Sequence, residues 1–214
     1  MNFGGGQMVH RKMPGAIGEN LVRLVKEEPL AWLTSPSPAH STLLPMIPVF
    51  GDGGDLVAIE GHMARSNPHI NAIESEKNGV ILYKGPDAYI PTAWLANKSL
   101  APTWMFASAT FHVNIQLMPD AEDTKAHLSR LVACMEKRNG TAWKIEQMGD
   151  RFEMLSNLVI GFRAEILRTE ERFKLGQNED LAVLEEMIEG LEETGQEALA
   201  VWVKQANSQA LNSP

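Results

Sequence analysis

The chain has 214 residues, and 19 Lys and Arg against 27 Asp and Glu give it a formal net charge of −8 at pH 7. This length predicts one domain of ordinary size, and 44% hydrophobic with 21% charged residues excludes a disordered chain. No apolar run approaches the roughly 18 to 20 residues that a membrane span requires. The negative charge argues against non-specific nucleic-acid binding, which depends on Lys and Arg.

The N-terminal part of the chain is polar and rich in glycine, so we expect residues 1–14 to be flexible. Its basic residues are followed by no apolar stretch, which argues against a secretory signal. Because the single cysteine, Cys134, cannot form an internal disulfide, the expected compartment is a reducing cytoplasm. A helix that ends before Pro29 is then predicted by apolar residues at helical spacing, namely Ile17, Leu21, Leu24 and Val25.

Short apolar runs broken by turn residues follow Pro29. They predict three strands, at residues 30–33, 43–50 and 56–59, with a loop at 35–38 and a glycine-rich hairpin connection at 51–55. Ser66 or Asn67 before Pro68 predicts the start of a helix that runs to about Lys77. A further strand is predicted at residues 80–83.

The second half of the chain predicts strands and helices of clearer pattern. Residues 111–117 alternate strictly between apolar and polar side chains, which is typical of a strand. A helix is predicted from about Asp120 to Gly140, a strand at 158–168, and tail helices interrupted at Gly195. Since strands come first and helices are inserted and appended, the predicted class is α+β with an antiparallel sheet or barrel.

One candidate anion site lies where a predicted strand ends and a helix begins. His62 and Arg65 occupy this place, and unpaired backbone N–H groups at a helix start favour a phosphate. Arg65 could hold the phosphate through two hydrogen bonds, and Ser66 and Asn67 could add donors. The alternative interpretation is an ordinary helix cap beside a solvated arginine.

Aromatic and polar residues elsewhere form weaker candidates. Trp94 and Trp104 bracket a proline-rich, irregular stretch at residues 91–102, with Tyr89 nearby, and could contact a planar ligand or fill the core or a subunit contact. Lys174, Gln177 and Asn178 could reach the polar rim of a ligand, although Asn178 is equally consistent with a helix cap.

Other chemistry is not supported by the motifs. The six histidines show neither an HExxH pattern nor paired cysteines, so we expect no zinc site. The chain has no P-loop, no GxSxG elbow and no GxGxxG after a strand. Cys134 lies within a predicted amphipathic helix and is expected to be a buried, inert thiol. No side chain is a convincing general acid or base, so we predict no catalytic residue.

Two sequence blocks occur together in the chain, Gly-His-Met-Ala-Arg-Ser-Asn-Pro at residues 61–68 and Lys-Gly-Pro-Asp-Ala-Tyr-Ile at 84–90. Together they resemble the PaiB family of FMN-binding negative transcriptional regulators. The similarity continues at Trp94, at Pro102-Thr103-Trp104 and in a late block from Phe173 to Asn178. The spacing holds from about Leu21 to Leu191, which is most of the chain.

The resemblance implies a split β-barrel of the pyridoxamine-phosphate-oxidase type over residues 15–178, with a C-terminal helical extension at 179–214. Proteins of this type are usually homodimers that hold FMN at the subunit boundary, with the phosphate on the segment that leaves a central strand for the first inserted helix. The residues that the resemblance implies for FMN binding are His62, Met63, Ala64, Arg65, Ser66, Asn67, Tyr89, Trp94, Thr103, Trp104, Lys174, Gln177 and Asn178.

The chain departs from the family pattern mostly where a polar side chain is expected. These departures are Leu43, Leu95, Met105, Phe106, Thr110 and Gly176. They leave the phosphate end of the expected site intact and make the end near the flavin ring more apolar.

Three functions are consistent with the sequence. The first is an FMN-binding protein with a flavin-dependent oxidoreductase activity, in which the redox chemistry belongs to the flavin. The second is a negative transcriptional regulator that acts through a partner or ligand, because no helix-turn-helix or basic helix supports direct DNA binding. The third is a pocket that has lost FMN and binds another phosphate-bearing molecule or nothing.

Overall fold

The computed structural model describes residues 9–12, 18–35 and 40–212 of the chain. Ile17 in the first helical pattern, most of the predicted loop at 35–38 and most of the N-terminal segment lie outside these residues. The structure adds one element that the sequence did not predict there, a short strand β1 at Val9–Lys12.

Six further strands form an antiparallel barrel. They are β2 (Leu30–Thr34), β3 (Ser41–Phe50), β4 (Leu56–Ala64), β5 (Asn78–Ile90), β6 (Thr103–Met118) and β7 (Val159–Lys174). The strand order is β1-β7-β4-β3-β2-β5-β6, and β7 also pairs with β6, so that β2 to β7 close into a ring. This closed barrel with inserted helices confirms the predicted antiparallel split barrel.

The helices described by the structure lie between the strands and after them. They are α1 (Glu19–Glu27), α2 (His69–Ser75), α3 (Ala121–Arg138), α4 (Asp150–Ser156), α5 (Leu181–Glu193), α6 (Glu197–Ala206) and α7 (Ser208–Leu211). The Asp120 side chain caps α3 by accepting a hydrogen bond from the Glu122 N–H at 2.8 Å. Gly195, with φ of +75°, separates α5 from α6, as the sequence predicted. Within the described ranges, no helix combines the length and apolar character that crossing a bilayer would need.

β5 and β6 are the strands that extend furthest beyond the predicted limits. β5 continues through Gly85-Pro86 to Ile90, although a proline usually ends a strand. The pairing of β5 with β2 covers Val80 to Leu82, so Pro86 lies beyond the ladder that β5 forms with β2. β6 begins at Thr103, directly after the stretch at residues 91–102 that was predicted to be irregular, so Trp104 lies on a strand.

The chain divides into two compact units. The first unit comprises His10–Tyr83 and Thr110–Glu170, and the second comprises the described parts of Met1–Val9, Lys84–Ala109 and Glu171–Pro214. Strands β5, β6 and β7 each have residues in both units. The domain boundaries expected from the sequence, 15–178 and 179–214, stay a prediction.

Each unit has its own buried apolar side chains. In the first unit the barrel interior contains Met46, Ile59, Phe111 and Phe162, none of which is exposed to solvent. The buried side chains of α5 and α6 form the core of the second unit, and they include Leu184, Met187, Leu191, Leu199 and Trp202. Residues 184, 187, 188 and 191 of α5 are therefore buried together.

Candidate functional site

The predicted anion site is a turn that follows β4 in the first unit. β4 runs to Ala64, five residues beyond the predicted end of the strand, so that His62 lies on the strand and not after it. The N–H of Arg65 donates to the Leu158 carbonyl at 2.9 Å, and Asn67 Oδ1 accepts from the His69 N–H at 2.9 Å. Asn67 is therefore the capping side chain that the sequence predicted at the start of α2.

Arg65 and Ser66 are exposed at this turn. Arg65 Nε donates to the Asn157 carbonyl at 3.1 Å, which holds the guanidinium in place, while its two terminal nitrogens bond to no described residue. The Ser66 hydroxyl is likewise unbonded within the described ranges. The turn thus presents one cation and one hydroxyl donor to solvent, which is a donor set that suits a phosphate.

A buried carboxylate lies on β4 two residues before His62. The Glu60 side chain, 6% exposed, pairs with Arg130 of α3 at 2.5 Å and with Arg163 of β7 at 3.1 Å. Burial acts to raise its pKa, but the neighbouring His127, the hydrogen bonds from Arg130 and Arg163 and the charge of Arg130 outweigh this effect and lower the pKa from 4.5 to about 2. Glu60 is therefore ionised at neutral pH.

His62 lies beside this carboxylate network, beneath α3. Its Nδ1 is 3.3 Å from Nε2 of the fully buried His127, and His127 Nδ1 is 3.7 Å from Glu60 Oε2. Burial, which is the larger cause, and the neighbouring His127 together lower the pKa of His62 from 6.5 to about 4. His62 is therefore neutral at pH 7.

These two pKa shifts predict that the chain loses stability in acid. Between pH 6.5 and about 4 the unfolded chain binds a proton at His62 that the folded chain does not, so the free energy of unfolding falls as the pH falls. The loss is expected to be about 1 to 3 kcal/mol because the ring is only partly buried. Protonation of Glu60 adds a further loss between pH 4.5 and about 2.

Urea unfolding over this pH range measures the effect. A His62→Gln variant lacks the titrating ring and is expected to show a flatter profile above about pH 4. An equal pH dependence in the wild-type chain and this variant would show that His62 is not the group responsible.

A second polar cluster lies next to the turn. Thr42 Oγ1 is 3.0 Å from Nδ1 of His69 and 3.5 Å from Asn67 Nδ2. His69 is 1% exposed, and its Nε2 has no partner among the described residues. Burial lowers the pKa of His69, and the nearby His40 lowers it further. This cluster connects β3 to the capping residue of α2.

The sequence did not predict Thr42, Glu60, His69 or His127 as part of the site. Glu60 and His62 are two residues apart on β4, a spacing that places both on one face of a strand, and this was the available signal. The buried residues of α3 are Thr124, His127 and Leu131, whereas the sequence pattern emphasised apolar positions on that helix. The buried face of α3 is therefore mainly polar, and a search for apolar residues at helical spacing does not identify such a face.

The other predicted residues lie in the second unit, where four of them form two pairs. Lys174 Nζ donates to the Thr103 hydroxyl. The rings of Tyr89 and Trp104 meet edge to face at a centroid distance of 5.9 Å, and both side chains are about half exposed. Both pairs are available for contact with a ligand.

Three further predicted residues serve the local structure of the second unit. Trp94 packs on Gly190 of α5, where an added Cβ would overlap the indole ring. Gln177 accepts from the Leu175 N–H at 2.9 Å and donates to the Phe173 carbonyl at 2.8 Å. Asn178 is exposed, and the residue before α5 is Asp180, so the interpretation of Asn178 as the cap of that helix is wrong.

Several other sequence expectations can be compared with the structure. Cys134 is exposed, which corrects the prediction of a buried thiol, because it lies on the outer side of α3. Leu95 and Met105 are buried at 1% exposure, so these two departures from the family pattern fill the core of the second unit. Phe106 contacts the Arg172 guanidinium at 5.4 Å from its ring centre, whereas Leu43 is 46% exposed.

Comparisons with known proteins agree with this fold and with the sequence motifs. The profile of the family described as "Putative FMN-binding domain" matches residues 15–168, which is more than half of the chain. An uncharacterised protein of Aspergillus fumigatus is 25% identical, covering 83% of this chain and 87% of its own. The protease synthase and sporulation protein PAI 2 of Bacillus subtilis is 22% identical, covering 67% of this chain and 69% of its own.

Solved structures share the fold at low identity. The FAD and heme binding protein of Mycobacterium smegmatis superposes with a TM-score of 0.53 at 14% identity, covering 82% of this chain and 79% of its own. The flavocytochrome Anf3 of Azotobacter vinelandii gives a TM-score of 0.51 at 12% identity, with coverages of 74% and 68%. The profile match over residues 15–168 shows that the chain belongs to the PaiB-like family of FMN-binding domains.

Proposed function

We propose that the chain binds FMN and that Arg65 and Ser66 receive its phosphate. The observation that carries this proposal is the exposed guanidinium of Arg65, which is held by its Nε bond to Asn157 and keeps its terminal nitrogens available. Two parallel hydrogen bonds from a guanidinium match the oxygens of a phosphate, and the Ser66 hydroxyl adds a third donor. Family membership supports the same ligand.

The residues present fit such a group. The turn donates hydrogen bonds and carries positive charge, and the nearest buried carboxylate, Glu60, is neutralised by Arg130 and Arg163. The net charge of −8 therefore does not oppose an anion at this place. A bound flavin would supply redox chemistry, and the chain would supply phosphate binding and orientation, which is the basis for proposing a flavin-dependent oxidoreductase.

The predicted residues of the second unit are proposed as further ligand contacts and are tested by themselves. The exposed pair of Tyr89 and Trp104 offers aromatic surface, and the Lys174–Thr103 pair offers a cation and a hydroxyl. A Lys174→Met variant that weakens FMN binding would support this assignment. Unchanged binding in that variant and in Trp104→Ala would remove the second unit from the site.

The direct test of the proposed function is flavin uptake by the full chain. We expect the purified protein to quench the fluorescence of added FMN on binding, and to show the visible absorption of an oxidised flavin after removal of free ligand. A chain that stays colourless and leaves FMN fluorescence unchanged contradicts the proposal. It would support the interpretation of a pocket that has lost FMN.

We also propose that the chain forms a homodimer through the outer face of β2 and its neighbours. Trp32 lies opposite Leu43 of β3 and opposite Leu82 of β5, so these side chains form one row across three strands. Trp32, Leu43 and Leu82 are 47%, 46% and 40% exposed. A contiguous apolar row on a strand face is typical of a protein contact, and a second copy is the partner that the family resemblance implies.

Sedimentation velocity tests this contact. The wild-type chain is expected to sediment as a dimer at micromolar concentration, and a Trp32→Arg variant as a monomer, because a charge would be placed in an apolar interface. Trp143→Arg is the matched control, since Trp143 is 40% exposed but lies outside the row. A wild-type monomer, or dissociation by the control alone, contradicts the proposed interface.

The second candidate function is regulation that operates through a ligand or a partner protein. The observation in its favour is the similarity to a Bacillus protein named for protease synthesis and sporulation. The charge of −8 argues against direct DNA binding. In a gel-shift experiment at moderate salt, the chain alone is therefore expected to leave DNA upstream of its own gene unshifted, and a specific shift would contradict this interpretation.

A further inference from the structure

Three titratable groups form a line on the outer face of β4, and phosphate binding uses none of them directly. The Glu60 carboxylate is 3.7 Å from His127 Nδ1, and His127 Nε2 is 3.3 Å from His62 Nδ1. Glu60 and His62 belong to β4, whereas His127 lies on α3. The Thr124 hydroxyl of α3 accepts a hydrogen bond from the N–H of Gly161 at 3.0 Å. Gly161 is the residue of β7 that pairs with His62. The helix is therefore anchored above the line.

The geometry determines which nitrogen of each ring carries the proton. Glu60 is ionised, and the ring nitrogen of His127 that faces it is Nδ1. An N–H directed at a carboxylate is attracted, whereas a lone pair in the same place is repelled, and the complete burial of His127 leaves little water to screen the difference. His127 therefore carries its proton on Nδ1 and presents a lone pair at Nε2.

The arrangement of His127 fixes that of His62. A lone pair on His127 Nε2 can only accept, so the hydrogen bond between the rings requires the proton on His62 Nδ1. In the neutral ring, Nε2 of His62 then carries the lone pair. This atom forms no hydrogen bond to a described residue. It is also not buried, so it remains open to a ligand.

We infer that the line Glu60–His127–His62 makes His62 a hydrogen-bond acceptor, whose Nε2 receives a hydroxyl or N–H group of the ligand. A lone pair repels phosphate oxygens. The phosphate is therefore assigned to Arg65 and Ser66, and His62 is assigned to the polyol or ring portion of the same molecule. Glu60 and His127 are positioning residues in this arrangement. The ligand part of this inference rests on the proposed FMN binding, whereas the assignment of the protons does not.

The neutral state of His62 supports this role. Burial lowers the pKa of His62 to about 4, so that the ring is unprotonated under ordinary conditions and has one nitrogen available as an acceptor. The charged groups that face the line are Glu60 of β4, Arg130 of α3 and Arg163 of β7. The two arginines hold the carboxylate in place without contacting the rings.

Nitrogen NMR of the full chain, labelled with ¹⁵N in its histidines and free of ligand, tests the proton assignment. At neutral pH the spectrum of His62 is expected to show a protonated Nδ1 and an unprotonated Nε2. Glu60→Gln removes the charge and is expected to produce a mixture of the two tautomers. Glu153→Gln removes a carboxylate that pairs with Lys125 and is not part of the line, and it is expected to preserve the wild-type pattern. The opposite tautomer in the wild type, or no change in Glu60→Gln, overturns the assignment.

FMN titration then tests the ligand part. His62→Phe is expected to weaken FMN binding about tenfold because the acceptor is lost, and His62→Gln to recover most of the affinity because its amide carbonyl can accept. Equal affinity in all three proteins overturns the acceptor role. If the wild-type chain binds no FMN, the proposed function fails and the ligand role of His62 fails with it, while the spectra still decide the proton assignment.

Discussion

Replacement of Glu60 by alanine is expected to lower the free energy of unfolding by about 3 kcal/mol, one of the largest losses that a single polar substitution produces. The side chain is 6% exposed and accepts hydrogen bonds from Arg130 and Arg163, while His127 faces it at 3.7 Å. Its removal leaves these groups without a counter-charge at a place that water reaches poorly. Arg130 is half exposed and can turn to solvent, which limits the loss.

Urea unfolding at neutral pH measures this effect, and two substitutions calibrate it. Glu60→Gln keeps the size and one acceptor oxygen, so it should cost less than the alanine variant. Glu153→Ala removes a mostly exposed partner of Lys125 on the same helical layer and should change stability by less than about 1 kcal/mol. An alanine variant of Glu60 as stable as the Glu153→Ala control would contradict the structural role assigned to the network.

Gly61→Ala is expected to destabilise the barrel by about 2 to 3 kcal/mol because the interior has no space for a methyl group. An added Cβ would lie 2.6 Å and 2.9 Å from two ring carbons of Phe162 and 3.2 Å from Met46. Neither of these side chains has any exposed surface. The Phe162 ring can move only by displacing other core residues, so structural relaxation does not remove the loss of stability.

Gly53→Ala is the matched control for this substitution. Gly53 lies in the hairpin connection between β3 and β4, where the nearest atom to an added Cβ is a flexible Asp55 oxygen at 3.5 Å. We expect little change in the midpoint of thermal unfolding for this control and a clear decrease for Gly61→Ala. Similar midpoints for both variants would show that the barrel interior is less tightly packed than the structure indicates.

Elements with a strong local signal could be predicted from the sequence. The alternation at residues 111–117 predicted β6, the acidic first turn after Asp120 predicted the start of α3, and Gly195 predicted the break between α5 and α6. Each of these signals depends on neighbours in the chain and not on distant contacts. β5 was predicted too short because Gly85-Pro86 resembles a turn, whereas the strand continues through these residues to Ile90.

The candidate site could be predicted only in part, for a similar reason. Arg65 and Asn67 are marked by the change from strand to helix, which is visible locally. Glu60 and His127 are 67 positions apart in the numbering and meet only after α3 packs on β4. A buried carboxylate and a solvated one look alike in a sequence. A buried thiol and an exposed one on an amphipathic helix also look alike, which is why the exposure of Cys134 was not predicted.

The proposed binding site combines two kinds of chemistry at one end of β4. Arg65 and Ser66 offer donors and positive charge to an anion, and the neutral His62 offers an acceptor three residues earlier. A molecule with a phosphate and hydroxyl groups along its length satisfies both. FMN has this composition, so the residue chemistry and the family membership favour the same ligand.

The most direct test of this account compares FMN with riboflavin, which lacks the phosphate, in the wild-type chain and in Arg65→Ala. We expect the wild type to bind FMN more tightly than riboflavin, and Arg65→Ala to weaken FMN by about 1.5 to 3 kcal/mol, or roughly 10- to 150-fold, while riboflavin binding is nearly unchanged. The preference for FMN should therefore largely disappear in the variant. Equal losses for both flavins, or no loss for either, would contradict the assignment of the phosphate to Arg65.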